Sequence, residues 1–304
     1  MEYLLLQVLN GVQLGLLMFL LAAGLTLTLG IMDLVNLAHG SLYMMGAYIA
    51  WTLMGLTDSF VVGALLALPA IFLLGVAVEI VVIRKLYARD HLTQVLATFG
   101  LILFFNELVR ALWGPGGKSI AVPGFLNRTI EILPGVPYPA YRFAIILVGV
   151  LVAILLAWLV ARTRLGMLIR AGASNRRMIG ALGVNIELLF SLVFGLGAVF
   201  AGLAGLMAAP IASVRIGMGD DILILALVII VIGGIGSIKG AFIAAMAVGQ
   251  IDIVGRAFLP DVLKTFMSSS AASSAAPAIS QVLVYVLMAV VLVWRPTGLF
   301  GQRT

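Results

Sequence analysis

Residues 4–29 read LLLQVLNGVQLGLLMFLLAAGLTLTL, a run with no charged side chain. A helix needs about 20 apolar residues to cross a bilayer core of about 30 Å, so this stretch is long enough to span. The opening MEYLLLQVLN holds Glu2 and no Lys or Arg. The charged start of a cleaved leader is therefore missing, and the run is expected to remain as a true span. Further apolar runs lie at about 41–56, 60–83, 95–112, 143–160, 188–209, 222–233, 241–254 and 280–294. Over the 304 residues 63% are apolar and 10% charged, with a mean hydropathy of +1.23. Soluble domains carry roughly 45–50% apolar and about 25% charged residues. So few charges cannot keep a surface wet, which excludes a water-soluble globule. Transmembrane barrels alternate apolar and polar residues and give no such runs. The expected fold is an all-α, polytopic transmembrane bundle of about 8–9 spans, forming one membrane domain over residues 1–304.

Four runs, 41–56, 222–233, 241–254 and 280–294, are short for a crossing. Two glycine-rich joints accompany them, GIMDLVNLAHG (30–40) and GGIGSIKG (233–240). Short apolar segments interrupted by glycine at matching places point to broken helices around a transport path. Tight loops between tilted helices explain the same pattern. Asn36, His39 and Gly40 in the first joint, and Gly233, Gly234 and Gly236 in the second, are the candidates for a path or for satisfying the freed backbone of a broken helix.

Charge orients the chain. Segment 161–186 holds Arg162, Arg164, Arg170, Arg176 and Arg177 and no acid before Glu187. Segment 84–94 adds Arg84, Lys85, Arg89 and His91 against Asp90, and Lys239, Arg295 and Arg303 fall on the same side. Cytoplasmic loops collect Lys and Arg, which accounts for the net charge of +6 and a pI near 9.9 without nucleic acid. Loops 113–142, 210–221 and 255–279 then lie outside, with the N-terminus out and the C-terminus in. Within the last of these, SSSAASSAAP (268–277) reads as a flexible outer loop.

No catalytic set is present. There is no cysteine, and the two histidines, His39 and His91, stand far apart. Gly116-Gly117-Lys118-Ser119 imitates the end of a phosphate-binding loop, but Leu112 stands where the leading glycine belongs. The chain binds no cofactor on this reading, and any ATP must be used by a partner. Charges inside apolar runs are costly and face a path or a partner. Glu79 can snorkel towards the basic cluster at 84–89, and Glu107 can pair with Arg110 at i,i+3. Small residues at Gly11/Gly15, Ala201/Gly205 and Gly236/Gly240 allow close helix approach. GLGAVFAGLAG (195–205) is therefore a packing face, towards this chain or another subunit.

RTRLGMLIRAGASNRRMIGALGVN (162–185) is too polar to span. Met178, Ile179, Ala181 and Leu182 give a short amphipathic helix, and Gly183 offers its stop. Four motifs, GLTLTLGIMDLVNLAHGSLYMMGAYIA (24–50), the arginine-rich segment 164–185, GGIGSIKGA (233–241) and RPTGLFG (295–301), occur in order. In this the chain resembles the permeases of branched-chain amino-acid ABC importers of the LivH type. Ser174 and Asn175 depart from that pattern, in which an acidic residue is common. The resemblance implies a second, LivM-like permease subunit, two cytoplasmic ATP-binding subunits and a periplasmic substrate-binding protein, in the bacterial inner membrane. It implies that Arg170, Ala171, Ala173, Asn175, Arg176, Arg177 and Gly183 belong to the helix that couples to the ATPase. Related permeases serve urea, short amides or other small organic solutes. A stand-alone secondary transporter or channel would need ion-coupling carboxylates at mid-membrane, which the runs lack.

Overall fold

The architecture comes from a computed structural model of the chain, which describes residues 2–133 and 135–301. The side chain of Arg176, and Arg303, lie outside the described residues. Among the described residues ten α-helices follow one another: α1 (Glu2–Met32), α2 (His39–Thr57), α3 (Phe60–Val81), α4 (His91–Trp113), α5 (Ala140–Arg162), α6 (Arg164–Ala181), α7 (Ile186–Ala208), α8 (Met218–Gly233), α9 (Ile238–Leu263) and α10 (Ser269–Trp294). A 3-10 turn, Ile83–Leu86, follows α3. Among the described residues seven helices are long and apolar enough to cross a membrane: α1, α3 with its 3-10 turn, α4, α5, α7, α9 and α10. The chain is a polytopic helical bundle, as its composition predicts. Of the helices outside that set, α8 has 16 residues, α6 18 and α2 19, whereas the runs at 241–254 and 280–294 lengthen into α9 and α10 of 26 residues each.

Short polar side chains start the helices. Ser59, Asp90, Thr163, Asn185 and Ser237 each accept a backbone N–H from the first turn of α3, α4, α6, α7 and α9. Such caps satisfy donors that a helix start leaves free, at about 1 kcal/mol each. The outer loop read from 113–142 contains a small exception to the all-helical pattern. Strands β1 (Thr129–Leu133) and β2 (Val136–Pro139) pair antiparallel. In the same loop the Lys118 backbone pairs with Val214, and its ammonium lies 5.2 Å from the Trp51 ring centroid. That placement is a loop anchor held by cation–π attraction.

The chain falls into two compact units. In the unit formed by Leu20–Ala121 and Val152–Ala226, helices α2, α3 and α7 pack pairwise. The glycine face of α7 makes this possible. A Cβ at Gly202 would meet the Ile71 side chain at 2.6 Å, and one at Gly195 would meet the Phe72 ring at 2.6 Å. GLGAVFAGLAG is thus spent on packing within the chain. The most apolar windows of α1 and α7 are 83% and 72% buried, against 17% for α5. These two helices carry the core, and α5 presents apolar surface to lipid or a partner.

In the other unit, residues up to Phe19, Val122–Leu151 and from Leu227 on, α9 and α10 form a helical hairpin. The stretch SSSAASSAAP is not a flexible loop. From Ser269 onward it forms the first turns of α10. Alanine is the best helix former, and the small side chains let α10 lie close to α9. Ala272, Ala276 and Ser280 are buried, and the Ser280 hydroxyl donates to the carbonyls of Ile251 and Asp252. Loop 255–279 is accordingly reduced to 264–268.

Candidate functional site

The first joint breaks between Met32 and His39. Asn36 accepts the Ala38 N–H at 3.0 Å, a local turn that replaces helix bonding, and its carbonyl accepts the His39 N–H at 3.3 Å. The His39 ring reaches back to α1, its Nε2 lying 3.2 Å from the Leu21 carbonyl. A carbonyl only accepts, so in the neutral ring Nε2 holds the proton and Nδ1 is an acceptor. Asn36 and His39 are fully buried, yet Asn36 Nδ2 and His39 Nδ1 have no hydrogen-bond partner. Buried groups left unsatisfied cost about 1–3 kcal/mol each. The break is therefore held by both side chains and keeps one donor and one acceptor in reserve. Gly40 is buried where α2 starts, and a Cβ there would strike the Gly219 carbonyl of α8.

The second joint separates α8 from α9 over 234–237. Gly234 and Gly236 adopt φ of +97° and +79°, which side-chain-bearing residues rarely enter. Gly233 abuts Gly240 across the joint. The terminal RPTGLFG motif docks here. Leu299 and Phe300 donate their N–H groups to the Ile232 and Gly233 carbonyls at 2.9 and 3.0 Å. Those carbonyls end α8 and would otherwise lack a donor. Asn36, His39 and Gly40 belong to one compact unit, and Gly233, Gly234 and Gly236 to the other.

The arginine-rich segment forms α6, broken at Asn175, whose φ and ψ of −156° and 91° are not helical. There the Asn175 side chain accepts the Met178 N–H at 3.0 Å and restarts the helix. Gly183, at φ +86°, turns the chain towards α7. Arg170, Ala171, Ala173, Asn175, Arg177 and Gly183 are all exposed, as are Met178 and Leu182, while Ile179 is buried. Gly172 faces inward, its Cβ direction meeting Ile31 of α1 at 3.4 Å and Leu189 of α7 at 3.7 Å.

Glu79 is the one fully buried carboxylate among the described residues. Arg84 holds it through two bonds of 2.9 and 3.2 Å, as the sequence leads one to expect. Three further residues join that no local pattern announces. Tyr87 donates to Glu79 at 2.8 Å, Ser191 donates at 2.6 Å, and Glu187 pairs with Arg84 at 3.0 Å. Burial first, and the bond to Glu79 second, hold the Tyr87 phenol well above its ordinary range. Glu107 pairs with Arg110 at 2.6 Å on an exposed face, and Asn106 donates to Asp220 at 3.1 Å.

The family model described as "Branched-chain amino acid transport system / permease component" matches residues 7–292. The chain is 30% identical over 311 residues to the high-affinity branched-chain amino acid transport system permease protein BraD of Pseudomonas aeruginosa, covering 97% of this chain and 95% of that protein. It is 27% identical over 323 residues to the corresponding permease protein LivH of Escherichia coli, covering 99% and 96%. A probable branched-chain amino acid transport permease protein LivH of Methanocaldococcus jannaschii is 26% identical over 299 residues, covering 94% and 89%. No solved structure matches significantly. These relatives are transport permease components rather than enzymes. With the match running over nearly the whole helical bundle, the chain belongs to the family of branched-chain amino acid transport system permease components.

Proposed function

We propose that the chain is one permease subunit of an ATP-driven importer for branched-chain or related amino acids. It works beside a second, LivM-like permease in the bacterial inner membrane, with its N-terminus outside and its C-terminus in the cytoplasm. Two ATP-binding subunits dock below, and a periplasmic binding protein delivers the solute from above. The observation that carries this reading is α6: a basic, kinked helix exposing Met178 and Leu182 on a chain with no nucleotide-binding motif. Exposed apolar side chains beside arginines suit a protein groove. The first joint, with Asn36 Nδ2 and His39 Nδ1 unpartnered, supplies polar groups that a solute path needs. ATP closing the nucleotide-binding pair favours one arrangement of the bundle, and hydrolysis releases it.

Ala173 is exposed, so Ala173→Trp should leave the fold within about 0.5 kcal/mol of wild type. In the complex reconstituted with its ATPases and binding protein, it should lower leucine import per ATP hydrolysed by about fivefold or more. An unchanged ratio, or leucine uptake by the purified chain in liposomes without ATP, would overturn the reading.

A further inference from the structure

Glu79, Arg84, Tyr87, Glu187 and Ser191 lie outside both joints and outside α6, yet they touch the supports of the first joint and of α6. Glu187 and Ser191 stand on the first turns of α7, directly after α6 and Gly183. Between them is Leu189, which with Ile31 forms the surface against which Gly172 of α6 rests. The Ser191 hydroxyl and Arg84 both bind Glu79, so the root of α7 is tied by charge to the end of α3. Tyr87 extends the cluster. Its ring packs edge-on against Phe190 at 5.0 Å, and its hydroxyl reaches Glu79 and, at 3.8 Å, the sulfur of Met32. Met32 is the last residue of α1 before the break that Asn36 and His39 hold.

We infer that the Glu79–Arg84–Tyr87–Ser191 cluster is the positioning device that transmits movement of α6 to the α1–α2 break. The inference rests on the reading of α6 as the ATPase-facing helix. A displacement of α6 towards the bundle presses first on Ile31 and Leu189, the side chains that face Gly172. Apolar contacts alone would let those two slide independently. The buried carboxylate prevents this, because its partners come from the segment after α3 and from α7 and their bonds cannot be lost singly without leaving polar atoms buried. The root of α7 and the end of α3 then move as one body, and Tyr87 carries that movement to Met32. The element that responds is the break, where Asn36 Nδ2 and His39 Nδ1 stand ready for partners in a second arrangement. A carrier of coupling needs such an element with two arrangements, and not merely a chain of contacts.

The test is a set of variants in the complete complex in liposomes, read as radiolabelled leucine imported per ATP hydrolysed. Glu79→Gln keeps the shape and removes the charge. Tyr87→Phe keeps the ring against Phe190 and removes only the hydroxyl, with its bond to Glu79 and its contact with Met32, so it stays informative if Glu79→Gln assembles poorly. Both should lower the ratio by about fivefold or more, and Arg84→Lys should restore less than half of what Arg84→Ala loses, since lysine cannot hold two oxygens in a fork. If the amount of assembled complex falls while the ratio stays at the wild-type value, the cluster is structural only and the inference is overturned. Ala173→Trp separates the two readings. A lowered ratio there with normal ratios in Glu79→Gln and Tyr87→Phe overturns the cluster's role alone, whereas a normal ratio in Ala173→Trp removes the coupling helix and the inference with it.

Discussion

Gly24 sits in α1 where that helix passes α7. A Cβ at this position would lie 2.6 Å from the Gly197 carbonyl oxygen and 2.9 Å from His39 Nε2. Ordinary contact begins at 3.4 Å, so the first approach is short by 0.8 Å, and backbone cannot swing aside as a side chain can. Gly24→Ala must therefore wedge α1 away from α7 or push the His39 ring off the Leu21 carbonyl. Overpacking costs about 1–3 kcal/mol, and the lost hydrogen bond adds about 1 kcal/mol. The gain of alanine over glycine inside a helix, about 1 kcal/mol, offsets only some of this. Gly100→Ala is the matched control: it is exposed inside α4, with nothing within 4 Å of its Cβ position. That variant should gain up to about 1 kcal/mol. Thermal unfolding of both proteins in one detergent, followed by tryptophan fluorescence, should separate their midpoints by about 5–10 °C. Equal midpoints, or a more stable Gly24→Ala, would refute the close-packing argument.

Arg84→Ala leaves the Glu79 carboxylate buried without its cation and should lower the midpoint of the same thermal melt. Adding Glu79→Leu to it should recover most of the loss in the same melt, the mark of a coupled pair. Asp90, capping α4, is held below its ordinary value of 3.8 by the Thr93 hydroxyl and then by the Thr93 amide. The sign follows from linkage: the cap's contribution is present above pH 3.8 and is lost as pH falls towards the lower folded value. Asp90→Asn should flatten the acid limb of a stability–pH curve, and an unaltered limb would show that the cap is without effect.

The legible portion of the fold was the one written in continuous apolar runs. Windows such as 4–29 and 60–83 become helices because nothing else satisfies their backbone in lipid. Both joints stand out because glycine and polar residues interrupt those windows, and in the first Asn36 accepts the Ala38 N–H while the His39 ring meets the Leu21 carbonyl. Glu79 found Arg84 because the two stand only five positions apart. What stayed hidden depended on distant chain. Serine and alanine at 268–277 resemble a linker until Gly255 offers α10 a close seat, a Cβ there falling on the Ser280 hydroxyl. The β1–β2 hairpin lies within a proline-rich stretch that reads as loop. Ser191 meets Glu79 across 112 residues, and Gly40 meets Gly219 from another helix. Neither meeting leaves a trace in local spacing.

The docking of 298–300 on the end of α8 has a bearing on how the protein is made. Every residue of the unit built on α2, α3 and α7 has been translated by Ala226, so that unit can settle while synthesis of the rest continues. The α8–α9 joint must wait, because the amides of Leu299 and Phe300 that complete it are translated only after α9 and α10. A nascent chain stalled before Leu299 is made would hold one finished unit and one with a helix end still open.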